Sequence, residues 1–125
     1  MTTDGPKTGP RVLVVEDEFL LACSLQEDLT AFGYAVVGPV SSVAAARETL
    51  SLKTVDAAVL DVNLSGAMVF PLADDLIALG IPIIFLSGYG LAIIPERFRS
   101  LPRLAKPGDP GALDRELRKV LPAFR

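Results

Sequence analysis

The chain has 125 residues, half of them apolar and 22% charged, which suits one globular domain with a substantial buried core. That length leaves no room for separate cofactor and substrate domains, or for a DNA-binding domain of its own. The formal net charge of −3 hides a split, because residues 1–96 carry 4 basic and 12 acidic side chains and residues 97–125 carry 8 and 3.

Met1 to Pro10 is polar with Gly and Pro breakers, and reads as a disordered leader without the apolar run of a signal peptide. Arg11 to Val15 is a short β-branched run expected to form a buried strand, with Glu16-Asp17-Glu18 directly after it. A helix follows, with Leu21, Leu25, Leu29 and Phe32 on its core stripe and Gly33 as its C-terminal cap. Phe19, Leu20 and Cys23 project largely the other way. Tyr34 to Val37 is a second strand, ended by Gly38-Pro39. Ser41 or Ser42 caps an alanine-rich helix through Leu50.

Val55 to Leu60 is a third strand with Asp61 at its C-terminal end, and Asn63 to Gly66 is a loop. A helix covers Val69 to Leu79. Ile81 to Leu86 is a fourth strand, apolar throughout as expected where both faces are covered. Ser87 to Gly90 is a loop, and Pro95 limits residues 91–100 to a short helix at most. Leu101 to Ala105 is a fifth strand closed by Lys106-Pro107. The last helix runs from Pro110 to Leu121, with Leu113, Leu117, Val120 and Leu121 on one stripe.

Five alternations of strand and helix imply parallel strands with right-handed crossovers, hence a doubly wound α/β sheet with helices on both faces. Sites in such sheets form outside the C-terminal ends of the strands. Glu16, Asp17, Asp61, Ser87 and Lys106 all fall there. Each has an ordinary reading on its own: a helix N-terminus, a turn, a strand-ending loop. Together they complement one another. Three close carboxylates repel unless a cation intervenes, and Mg2+ takes oxygen ligands and keeps several waters. The Asn63 backbone carbonyl could complete the set. An aspartate beside Mg2+ can attack phosphorus, with a lysine neutralising charge on the phosphoryl oxygens.

Other chemistries have little material. No histidine and one cysteine leave almost nothing for a zinc site or a histidine-based catalytic pair. The lone Cys23 cannot form an internal disulfide. No tryptophan and two tyrosines argue against a stacking platform for nucleic acid. No apolar stretch approaches the about 20 residues of a membrane span. A cytoplasmic setting, with no membrane and no DNA binding of its own, is expected.

With these residues in place, the chain resembles the receiver domain of two-component response regulators. The match covers about residues 11–122, through Glu16-Asp17, Asp61, Ser87 and Lys106-Pro107. The resemblance implies a flavodoxin-like sheet of strand order 2-1-3-4-5; Pro95 leaves the fourth helix short or broken, and the length of the chain leaves no output domain expected. It implies that Asp61 accepts phosphate from a phosphohistidine on a histidine kinase or phosphotransfer protein. Glu16, Asp17, Asp61 and the Asn63 carbonyl would hold Mg2+, Lys106 would pair with the phosphoryl group, and Ser87 would be the switch hydroxyl. Beyond self-phosphotransfer and slow autodephosphorylation, no conventional enzyme activity is implied.

Phe85-Leu86-Ser87-Gly88-Tyr89-Gly90 and Pro95-Glu96-Arg97-Phe98-Arg99 are also similar to a mostly single-domain subfamily with a Phe-Ala-Thr-Gly motif, found in alphaproteobacterial stress relays. The chain departs from the common pattern at Ser87-Gly88, at Arg103 where an aromatic switch residue is usual, and at Gly108-Asp109.

In receivers the first helix contacts the kinase or phosphotransfer helices, so Phe19, Leu20 and Cys23 are expected to dock the donor. Arg97, Arg99 and Arg103 lie near the surface used for output or dimerisation, which an unknown downstream protein or a second copy of the chain would cover. The chain would act as a switch, shuttle or phosphate sink. Two alternatives remain: a degenerate receiver that binds partners without phosphorylation, and a Mg2+-dependent phosphohydrolase with an aspartate nucleophile. The latter class usually carries its nucleophile on the first strand, with a second aspartate two residues on.

Overall fold

A computed structural model describes residues 9–88, 93–106 and 109–121. The elements are β1 (Arg11–Val15), α1 (Phe19–Ala31), β2 (Ala35–Val40), α2 (Val43–Leu52), β3 (Ala57–Asp61), the short pair β4 (Asn63–Leu64) and β5 (Ala67–Met68), α3 (Phe70–Ala78), β6 (Ile83–Ser87), β7 (Arg103–Ala105) and α4 (Pro110–Val120). The main sheet is parallel, in the order β2-β1-β3-β6-β7. With β6 and β7 as fourth and fifth main strands, this is the expected 2-1-3-4-5 order.

The apolar runs of the strands have a direct physical cause. Successive strand side chains point to opposite faces, and both faces are covered. Leu13, Val15, Ala58, Leu60, Ile83 and Phe85 join one core with α2 and α3. Val12, Val14, Ala57, Val59, Ile84 and Leu86 join a second core with α1 and α4. Four consecutive residues, Val12 to Val15, are therefore almost completely buried.

Helix ends follow local chemistry. Ser42 caps α2 by accepting from the Ala45 N–H at 3.0 Å. Asp109 caps α4, its carboxylate accepting from Gly111 N–H at 3.1 Å. α1 ends with Gly33 in the left-handed region, Gly33 N–H bonded to Thr30 O and Tyr34 N–H to Leu29 O. That pairing satisfies two terminal carbonyls and lets Tyr34 pack on the side of Leu29.

Several expectations need correction. Phe32 is not on the core stripe of α1; it is exposed, and Ala22 is buried with Leu29 instead. Cys23 is half-buried, whereas Phe19 and Leu20 are 75% and 72% exposed. β2 does not stop at Gly38-Pro39. It runs on to Val40, which pairs with Val15 after a register shift from Leu13–Val37. Gly38 makes this irregularity feasible with a φ of +93°, and a Cβ there would fall 2.8 Å from Val40 N.

The expected Asn63–Gly66 loop is a hairpin. Ser65 and Gly66 both have positive φ, 53° and 92°, as a tight two-residue turn requires. Among the described residues before β7, Glu96–Phe98 forms a short 3-10 turn, as Pro95 led one to expect. Its Phe98 stacks on Phe70 and meets Phe85 edge-on, at 5.6 and 5.9 Å between ring centres.

The expected leader lies outside the described residues up to residue 8; Pro10 already accepts a hydrogen bond from Ala35 N–H at 2.9 Å. Tyr89, Gly90, residues 91 and 92, Pro107, Gly108 and residue 122 also lie outside them. Among the described residues, no helix is long and apolar enough to cross a membrane.

Candidate functional site

The C-terminal edge of the sheet gathers side chains from four strand ends. β1 passes straight into Glu16-Asp17-Glu18, and these three acidic residues divide their work. Glu18 turns away to cap α1, accepting from Leu21 N–H at 2.7 Å. Glu16 turns inward and is 2% exposed; its Oε2 accepts from Glu18 N–H at 3.0 Å. Asp17 stays half-buried at the rim. The reading as a helix N-terminus thus holds for Glu18, while the other two face the cleft.

Asp61 ends β3 and is buried. Its Oδ1 accepts from Asn63 N–H at 3.3 Å, and its Oδ2 lies 3.1 Å from Lys106 Nζ. Lys106 follows β7, held beside Ser87 by a bond from its N–H to the Ser87 carbonyl at 3.1 Å. Its ammonium also lies 3.2 Å from Glu16 Oε1, and that buried oxygen has no hydrogen bond of good geometry. Ser87 is buried at the end of β6. One cleft is lined by Asp17, Asp61, Asn63, Ser65, Gly66, Gly88 and Lys106.

The charges are mutually dependent. Burial pushes the Glu16 carboxyl above its usual value; the Asp61 charge adds to this, while the Glu18 N–H and Lys106 oppose it. Burial alone would depress Lys106, but its hydrogen bond to Asp61 and the negative charges of Asp61 and Glu16 outweigh that and hold it above an ordinary lysine.

Carboxylate oxygens of Glu16, Asp17 and Asp61 lie within 4.8 Å of one another. An all-oxygen set with one poorly satisfied buried oxygen suits a hard divalent cation. Asn63 is half-buried beside Asp61, and its side-chain oxygen accepts from Gly66 N–H at 2.7 Å.

One residue of the site was not anticipated. The Ser65 hydroxyl donates to Asp17 Oδ2 across 48 positions of sequence. Nothing local marks it, since its partner comes from another strand end.

The remaining expected residues are placed as follows. Cys23 shares a groove with Glu16, Asp17, Phe19, Pro39 and Val40, and Leu20 stands exposed on the same helix. Arg97, Arg99 and Arg103 are exposed but engaged within the chain. Arg97 grips Asp74 through two bonds of 3.1 and 3.0 Å and lies 4.4 Å over the Phe98 ring. Arg99 donates to Ile94 O at 2.8 Å, and Arg103 to Arg99 O at 3.2 Å.

No family model and no curated protein matches the chain. Solved structures do. The chain is similar to SdrG from Sphingomonas melonis Fr1, at 36% identity over 89% of this chain and 95% of that one, with a TM-score of 0.79. A putative response regulator from Chloroflexus aurantiacus matches at 25% identity over 90% and 98%, with a TM-score of 0.78. The receiver domain of a sensor histidine kinase from Pseudomonas aeruginosa PAO1, with a magnesium ion coordinated in its active-site cleft, shares the fold at 23% identity over 90% and 98%, with a TM-score of 0.75.

Proposed function

The chain belongs to the receiver domains of response regulators, and from that premise we propose that it accepts a phosphoryl group on Asp61 from a phosphohistidine and signals through protein contacts. The donor would be a histidine kinase or a histidine phosphotransfer protein. The observation that supports this most is the Lys106 ammonium held between Asp61 and Glu16, with Asp17 beside them.

The transfer is a displacement at phosphorus. An Asp61 carboxylate oxygen attacks, the P–N bond to the donor imidazole breaks, and the electron pair returns to the imidazole nitrogen. Glu16, Asp17, Asp61 and the Asn63 carbonyl would hold Mg2+, which when bound neutralises charge on the phosphoryl oxygens. Lys106 supplies the protein's own positive charge and orients the acceptor before attack. Its bond to Asp61 Oδ2 would pass to a phosphoryl oxygen. Ser87, at the end of β6, would offer a hydroxyl donor to another. The reverse branch is hydrolysis, in which water attacks phosphorus and Asp61 leaves as the free carboxylate, giving slow autodephosphorylation. Membership of the Phe-Ala-Thr-Gly subfamily, and with it stress signalling, rests on the sequence motifs Phe85–Gly90 and Pro95–Arg99.

A phosphorylation-independent binding module is the second reading, favoured by Arg103. That side chain is exposed and bonded to a carbonyl, so it offers no aromatic ring to follow the state of the site. A phosphohydrolase is disfavoured, because Asp61 ends the third strand and Asn63 stands two residues on.

The test is incubation with acetyl phosphate and Mg2+, read by intact mass. One added phosphoryl group, lost in Asp61→Ala, is expected. No addition would support the second reading, and rapid turnover of varied phosphomonoesters would support the hydrolase.

A further inference from the structure

We propose that Ser65 is a positioning residue for the cation site: its hydroxyl orients the Asp17 carboxylate and thereby raises the affinity for Mg2+. This rests on the phosphoacceptor reading above.

Two independent observations carry it. The first is the bond from Ser65 Oγ to Asp17 Oδ2, the side-chain partner that Asp17 has among the described residues. The second is the backbone that delivers it. Ser65 has a φ of +53°, a conformation in which L-residues with a Cβ are disfavoured by about 1–2 kcal/mol. Tight hairpin turns of this kind prefer Asn, Asp or Gly there. A serine held in that conformation points to a use for its hydroxyl.

The turn is rigidly made. Asn63 pairs with Met68 and Leu64 with Ala67, and Asn63 Oδ1 accepts from Gly66 N–H at 2.7 Å. Gly66 meets nothing within 4 Å at its Cβ position, so the turn is not shaped by packing there. Hydrogen bonding shapes it, and the outcome is a hydroxyl directed at Asp17.

A carboxylate oxygen has two lone pairs. One hydroxyl donor on Oδ2 leaves its second lone pair, and all of Oδ1, for a cation. The donor also offsets part of the repulsion between Asp17 and the nearby Glu16 and Asp61. Outer hydrogen bonds of this kind fix the orientation of ligating carboxylates, and losing one typically lowers metal affinity by about 10–100-fold.

The test uses the full chain stripped with EDTA and titrated with MgCl2 by calorimetry, comparing the parent with Ser65→Ala and Ser65→Gly. The two variants both lose the hydroxyl but shift backbone strain differently, since Gly tolerates positive φ and Ala does not. Both are expected to raise the Mg2+ Kd by roughly tenfold. The thermal midpoint of Ser65→Gly in EDTA should not fall. Acetyl phosphate labelling should require more Mg2+ for its half-maximal rate. An unchanged or lower Kd in both variants overturns the proposal and leaves the phosphoacceptor reading intact. A raised Kd in Ser65→Ala alone assigns the effect to backbone strain and also overturns it. Failure of the parent itself to bind Mg2+ overturns both.

Discussion

Lys106 Nζ lies 3.1 Å from Asp61 Oδ2, joining the residue after the edge strand β7 to the end of the central strand β3. The pair sets the electrostatic balance of the sheet edge, because the same ammonium faces Glu16 at 3.2 Å. Removing it strands two buried carboxylates. In metal-free buffer Lys106→Ala is expected to lose about 2 kcal/mol of stability in urea unfolding, less than a fully buried pair because the lysine side chain keeps 20% exposure. Mg2+ at a hundredfold excess over its Kd should add about 2.7 kcal/mol to the parent, and EDTA should reverse it. A parent midpoint insensitive to both reagents contradicts the cation site.

Glu16 gives a pH-dependent signature in the metal-free protein. Burial is the main cause that raises its carboxyl above the ordinary value of about 4.5. The folded state therefore holds a proton that the unfolded chain releases first. Its contribution is present below about 4.5 and is lost as pH rises through the folded value. Glu16→Gln should match the parent at low pH and gain stability relative to it toward neutrality. It should also lose the stabilisation by Mg2+. Parallel pH curves for variant and parent would count against this.

Tyr34 and Asp114 form a second long-range polar pair, 2.7 Å apart and 80 residues apart in sequence. Burial first, and then the bond to Asp114, pushes the phenol well above its usual value. A raised tyrosine stabilises the fold below its unfolded value of about 10 and loses that contribution as pH climbs through the folded one. Tyr34→Phe should cost about 1 kcal/mol at neutral pH, with Arg118 still bound to Asp114 at 3.0 Å. The variant should then show a shallower loss of stability above pH of about 10. Chemical denaturation from pH 7 to 11 measures both effects.

Leu20 is exposed on α1, on the same helix as the cleft-side groove. If that face receives the phosphohistidine donor, Leu20→Glu should slow phosphotransfer from the cognate kinase by about tenfold or more, the scale of one interface hot spot. Acetyl phosphate labelling should persist at the parent rate. Equal loss of both rates, or of neither, argues against docking there.

Gly38 carries the register shift of β2 with a φ of +93°. Gly38→Ala adds a strained conformation and a 2.8 Å approach to Val40 N. A loss of about 2–4 kcal/mol is expected from the two together. It should appear as a lower urea midpoint, and a midpoint within error of the parent would remove the argument.

Much of the fold was legible because buried parallel strands leave an unambiguous mark. Val12 to Val15, Ala57 to Leu60 and Ile83 to Leu86 are apolar at every position, since each strand is covered on both faces. The ends of these runs were legible too, as Asp61 and Glu16 interrupt them at once. What failed were positions decided by neighbours. Gly38-Pro39 carries the ordinary signature of a strand end, yet β1 continues to pair with the chain beyond it. Phe32 fits the helical stripe of α1, but it is exposed and Ala22 is buried.

The amino-acid sequence alone determined the alternation of strands and helices, and hence which side chains stand at the C-terminal edge. Chain order and the right-handed crossover leave few other arrangements. It also determined the chemistry there, because residue type decides what can carry charge. Only the tertiary structure decided how those charges pair: Lys106 between Asp61 and Glu16, Ser65 on Asp17, Glu18 turned away to its helix. Such pairings join residues up to 90 positions apart. No local pattern encodes them, because contacts of a few ångströms depend on packing in three dimensions.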